Sequence, residues 1–177
     1  MNPRTGRRSD RVALRRIVTA ALLTAVGMIF SYIEAILPFS IGIPGVKLGL
    51  CHIVTLFALY RLTVWETAAV TAVRVTLTAI LFGSVASLAY SAAGAAVSLV
   101  VMLAARRLHR RGVSLFSPIG LSILGGVTHN LAQLATAAAM MRTAGILTYL
   151  PVLIIAGTLT GAAIGVVGAM VVARSEV

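Results

Sequence analysis

Acidic side chains are nearly missing from this 177-residue chain: four Asp and Glu stand against fifteen Lys and Arg, and the only aspartate is Asp10. That scarcity excludes an Asp-rich motif for magnesium diphosphate and paired carboxylates for acid–base catalysis. Cysteine is represented once, at Cys51, so an internal disulfide, a multi-cysteine zinc site and a CxxC redox pair are excluded. The three histidines form no HExxH, and no GxxxxGK[ST] phosphate loop is present, so no metal site and no intrinsic ATP hydrolysis are expected. Hydroxyls near a histidine make no triad without an orienting acid. An enzyme is therefore not expected, nor is a cofactor. Charge as a whole is scarce at 11%, against about 25% in ordinary soluble domains. Such a composition also excludes disorder, which needs polar, charge-rich sequence.

What remains is apolar: 59% hydrophobic residues and a mean hydropathy of +1.03. A bilayer-crossing helix needs about 20 largely apolar residues, and six such stretches are found. They lie near Ala13–Leu37, Leu48–Arg61, Val64–Phe82, Ser84–Ala105, Pro118–Met141 and Thr148–Ala173. The second is short for a full span. The first is too long for the apolar core of a signal peptide, and no A-x-A-like site follows before Pro38. The chain therefore reads as a basic tail, 1–12, and one all-α membrane domain, 13–177, built as a six-helix bundle.

The basic residues set its orientation. Arg4, Arg7, Arg8, Arg11, Arg15 and Arg16 precede the first helix or open it, and Arg106, Arg107, Arg110 and Arg111 follow the fourth. With six crossings and the N-terminus inside, Arg61 and Arg174 join them on the inner face. Only Lys47 and Arg142 face outward. The positive-inside rule thus predicts a cell-membrane protein with both termini cytoplasmic. The positive charge suits the membrane surface, and no soluble module remains to hold nucleic acid.

Polar residues recur inside these helices at helical spacing. Ser84, Ser87, Ser91, Gly94 and Ser98 line one face of the fourth, and Gly157, Gly161 and Gly165 one face of the sixth. Close helix packing explains the glycines and most of the serines. Arg74 is different, because a charge near the bilayer centre costs at least ~2.5–3.5 kcal/mol and calls for a cavity or a partner. An ion pair with Glu34 and a substrate contact are both open to it. His129 and Gln133 share a face with Asn130 beside them, while Lys47, His52 and Tyr90 come from the outer ends of neighbouring helices. These groups are expected to converge on one outward-opening cavity. Its basic character favours an anionic or strongly hydrogen-bonding ligand. The connecting run PFSIGIPGVKLG, rich in glycine and proline, is expected to lie over it as a lid.

Several motifs carry a resemblance: PGVKLGLCHIVTLFALY, RVTLTAILFGS, YSAAGAAVSLVVM, FSPIGLSILGGVTHNLAQL and YLPVLIIAGTLTG. Together they resemble the Gx transporter family, often labelled heptaprenyl diphosphate synthase component I, from Pro44 to Gly161. That family is similar to the substrate-binding S components of energy-coupling factor (ECF) transporters. The resemblance implies a six-helix S-component-like fold and a pocket near the outer face closed by the first loop. It also implies a transmembrane T component and cytosolic ATPases as partners. S components resemble one another in an Ala-x-x-x-Ala on the first helix that docks the T component, matched here by Ala21 and Ala25. His52 departs from the pattern, since the LGLAN expected of the family reads LGLCH. Histidine can carry charge where asparagine cannot. The leading expectation is thus an S component capturing a small anionic or polar solute. The alternative is a non-catalytic membrane subunit of isoprenoid (heptaprenyl) diphosphate synthesis.

Overall fold

The computed structural model describes residues 3–36, 50–109, 111 and 117–174. Six α-helices follow in order: α1 (Pro3–Ile36), α2 (His52–Arg61), α3 (Val64–Phe82), α4 (Val85–His109), α5 (Pro118–Met141) and α6 (Leu150–Arg174). A 3-10 turn, Ala144–Tyr149, leads into α6, and no strand is present among the described residues. Four stretches are long and apolar enough to cross a membrane: Asp10–Glu34, Val64–Phe82, Val85–His109 and Ala144–Met170. The chain is a multi-pass membrane protein.

Local chemistry sets several helix ends. Thr63 opens α3 with a capping box: its hydroxyl accepts the Glu66 N–H, and the Glu66 carboxylate accepts the Thr63 N–H at 2.7 Å. Ser117 caps α5 through the Gly120 N–H at 3.2 Å, with Pro118 in the first turn. Arg142 closes α5 in the left-handed region at φ 49°. The sequence-based start of the first helix at Ala13 is corrected to Pro3, because the arginines that precede the apolar stretch are good helix formers. The second helix begins at His52 rather than Leu48, after a turn at Leu50 and Cys51. The fourth runs on to His109, and the sixth starts at Leu150 behind the unanticipated 3-10 turn.

Helix α5 is the centre of the bundle and packs on α2, α4 and α6. A Cβ on Gly126 would lie 2.7 Å from the Gly157 carbonyl oxygen, and one on Gly161 or Gly165 would lie 2.6 Å from the Cα of Ile123 or Ile119. Backbones that close leave no room for larger residues, so the glycine stripe of α6 is the α5 contact. Leu56, Leu59, Met102, Ala105 and Leu121 fill one end of the bundle; Leu134, Ile146 and Leu153 fill the other. The Arg106 guanidinium ties α4 to α2, donating to the Leu59 carbonyl and lying 4.9 Å from the Tyr60 ring centre. Helix α1 is the outlier: only 11% of its apolar stretch is buried, against 39% for α4. It rests on α3 and touches α2.

Candidate functional site

The polar residues of the helix interiors meet where α1, α3, α4 and α5 approach the start of α2. On α3, Thr67 and Thr71 donate their hydroxyls to the carbonyls four residues back, each at 2.9 Å. That leaves Arg74 and Thr78 as the polar groups of this helix turned to the cavity. Arg74 is 5% exposed and crosses α1 at a glycine. A Cβ on Gly27 would stand 2.5 Å from the Arg74 Cδ, so the absent side chain is the channel in which the arginine stem lies. One turn on, Arg74 Nη1 donates to Ser31 Oγ at 3.3 Å. Its Nε has no hydrogen-bond partner among the described residues, and neither does the Thr78 hydroxyl.

Ser87 and Ser91 of α4 and His129 of α5 complete the polar wall, with Val75 and Ala79 as the apolar part and Cys51 at the entry to α2. Among the described residues no carboxylate lines it. About 10 Å³ is open to the centre of a water molecule, which is room for about one. His129 and Gln133 pack against α4 at Gly94, where a Cβ would come within 2.9 Å of both side chains. The His52 ring meets His129 edge-on, 4.5 Å between centres and 87° between planes. His52 is 3% exposed, and neither of its ring nitrogens has a hydrogen-bond partner among the described residues.

The residues singled out from the sequence divide into three groups. Arg74 and His129 share the cavity, His52 adjoins it through the ring contact, and Gln133 sits a turn from His129. Asn130 faces elsewhere: its Nδ2 donates to the Leu153 carbonyl at 3.1 Å, which ties α5 to α6. Tyr90 is buried in α4 but is not part of the cavity wall. Lys47 and the lid stretch up to Gly49 lie outside the described residues. Ala21 and Ala25 are exposed on α1. Of the groups open to Arg74, the structure shows a contact with Ser31, while Glu34 Oε1 accepts the backbone N–H of Leu50 at 2.7 Å. Packing accounts for Ser98, whose hydroxyl returns to the Ala95 carbonyl, but Ser87 and Ser91 turn to the cavity. Ser31, Thr78 and Gly27 are site residues that the sequence reading misses. A serine four residues after a glycine in the apolar second half of α1 was the available signal.

With that geometry in view, a sequence model for the family described as heptaprenyl diphosphate synthase component I matches residues 23–171. The chain belongs to that family. No curated protein and no solved structure matches it. The stretch shared with the heptaprenyl diphosphate synthase component I family holds every described residue of the cavity, from Ser31 to His129. It leaves out the arginine-rich start of α1 and Ala21, while Ala25 falls inside.

Proposed function

We propose that this protein is a non-catalytic membrane binding component that captures a small anionic or polar solute in the Arg74–His129 cavity. It passes that solute into the cell through an ECF module of a T component and cytosolic ATPases. The observation that carries the reading is a buried guanidinium in a wall of hydroxyls and imidazole that, among the described residues, no carboxylate lines. A buried cation is costly to maintain, and such a setting favours a ligand that brings the missing negative charge. His52 and Gln133 support the wall, and Lys47 is expected from the sequence to join it from the outer end of the second helix. The exposed alanine pair at 21 and 25 suits a docking face on α1, the helix least covered by the rest of the bundle. The positive-inside distribution supports both termini in the cytoplasm.

A second reading has the family description behind it: the protein serves a prenyl diphosphate synthase as its membrane subunit, and the cavity holds the charged end of the product. Partner capture separates the two. The protein, extracted in mild detergent from its native membrane, is expected to bring down a transmembrane protein and ATPases. Recovery of a soluble protein with Asp-rich motifs instead would transfer the assignment to the second reading.

A further inference from the structure

We infer that α1 presents a docking face for a different membrane protein, whose own helix lies along α1 in the bilayer and carries acidic residues where it continues past the cytoplasmic surface. The inference rests on the docking face proposed for α1 and names the chemistry of what covers it.

The register of α1 carries the argument. Pro3–Ile36 is one unbroken helix, and residues at steps of three and four share a face of it. Arg4, Arg7, Arg8, Arg11 and Arg15 stand at such steps, and Val18, Leu22, Ala25 and Ile29 continue them. From Arg4 through Arg8 to Ile29 the steps alternate four and three, which is the period of a seam between two helices packed along their length. This face is turned away from the bundle: Arg11, Arg15, Val18, Leu22, Ala25 and Ile29 are all exposed. On the opposite side, Gly27 and Ser31 meet Arg74 of α3. Arg16 lies on that side as well and pairs with Glu66 at 3.8 Å. One arginine of the six therefore holds α1 to α3, and the register puts the other five on the outward face. The single aspartate, Asp10, falls off the stripe.

Charge and length decide the occupant. A second copy of this chain, inserted the same way, would set arginine against arginine, and like charges brought together select against such a pair. Lipid headgroups are another source of negative charge, but they fit the stripe poorly. Arg4 and Arg15 are about 16 Å apart along the helix at 1.5 Å per residue, whereas the headgroup layer on one side of a bilayer is about 5–8 Å thick. A helix standing in the bilayer carries the outer part of the stripe beyond that layer. Headgroups also surround a helix evenly and call for no single face. An acidic helix beside α1 matches both the length and the one-sidedness, because arginine meets carboxylates as paired forks and complementary charges flanking an apolar seam set the choice of partner.

The test uses the full-length protein in its native membrane, with a photoreactive benzoylphenylalanine in place of Arg8 or Leu22 on the face, or of Ser9 or Ile17 off it. Positions 8 and 22 are expected to cross-link one and the same membrane protein, position 8 at a peptide rich in Asp and Glu, and positions 9 and 17 are not. A charge-neutral rearrangement then separates the face from the charge. The paired exchanges Arg4→Thr with Thr5→Arg, Arg8→Ser with Ser9→Arg, and Arg11→Val with Val12→Arg keep the composition and take three arginines off the face. This variant is expected to keep its unfolding temperature in detergent and to lose the cross-link from position 22. Cross-links from position 8 to lipid alone, an undiminished cross-link from position 22 in the rearranged variant, cross-links to a second copy of this chain, or no protein cross-link from either position each overturn the inference. None of these outcomes decides the functional reading, which stands or falls on whether the unmodified protein brings down a T component and ATPases.

Discussion

A guanidinium inside a membrane protein has to be met by dipoles or by a counter-charge, and here the protein supplies only part of that. Truncating Arg74 should remove a charge-assisted contact to the ligand worth ~1.5–3 kcal/mol, a loss of roughly tenfold to a hundredfold in affinity. Equilibrium binding to Arg74→Ala checks this, and Arg74→Lys should rescue it incompletely, since an ammonium has no planar fork. The glycine beneath it offers a second, independent test. Gly27→Val places atoms where the Arg74 Cδ now lies, and overpacking of this kind costs about 1–3 kcal/mol. The variant should still extract as a folded protein but bind as poorly as Arg74→Ala. Normal affinity in Gly27→Val would mean that the channel does not position the arginine. Arg74 and His129 were legible in the sequence because charged and imidazole side chains stand out in apolar helices. Gly27, Ser31 and Thr78 were not, because a small residue on an apolar helix has the same appearance whether it packs a neighbour or admits a side chain. Asn130, next to His129 in sequence, is turned by the 100° step of the helix so that its Nδ2 donates to the Leu153 carbonyl.

At the scale of the helix, apolar length located the spans, and the structure adds the caps that end them. The ends of α3 and α5 coincide with the sequence reading, and there the structure shows a capping box at Thr63 and Glu66 and a Ser117 cap before Pro118. The 3-10 turn before α6 had no such mark, because Thr143 to Tyr149 differs little in composition from the helix that follows. The packing of α5 on α6 yields a direct expectation. Gly161→Leu forces the backbones of Gly161 and Ile123 apart from a contact that leaves 2.6 Å for a Cβ. Thermal unfolding in detergent should show a clear loss of stability, with Gly145→Leu, at a position open to space beyond Thr143, as the harmless control. The small pair on α1 should behave in the opposite way. Ala21 and Ala25 are exposed, so changing both to Leu adds apolar atoms to a lipid-facing surface and should leave folding and ligand binding intact. Partner capture and uptake should both fail if close backbone approach at that face is how α1 docks. Retained assembly would remove the docking face from α1.

At the scale of the whole molecule, orientation follows from charge and can be measured with the one native thiol removed. In a Cys51→Ser background, Arg142→Cys should react with an impermeant maleimide in intact cells, and Arg111→Cys only after lysis. Equal labelling of both would overturn the orientation with cytoplasmic termini. The uneven polarity of the helices also has a consequence for how the chain enters the membrane at all. Helix α5 carries His129, Asn130 and Gln133 near its middle, and α2 has 10 residues. Each strongly polar residue near the bilayer centre adds to the cost of inserting α5 alone. The glycine face of α6 packs directly on α5, so insertion of α5 is expected to gain from the presence of α6. Chains truncated after Met141 and carrying a glycosylation reporter should leave α5 uninserted, whereas chains extended through Arg174 should insert both helices together. Joint insertion of the two helices would trace to the same polar side chains that give α5 its place in the cavity wall and its tie to α6.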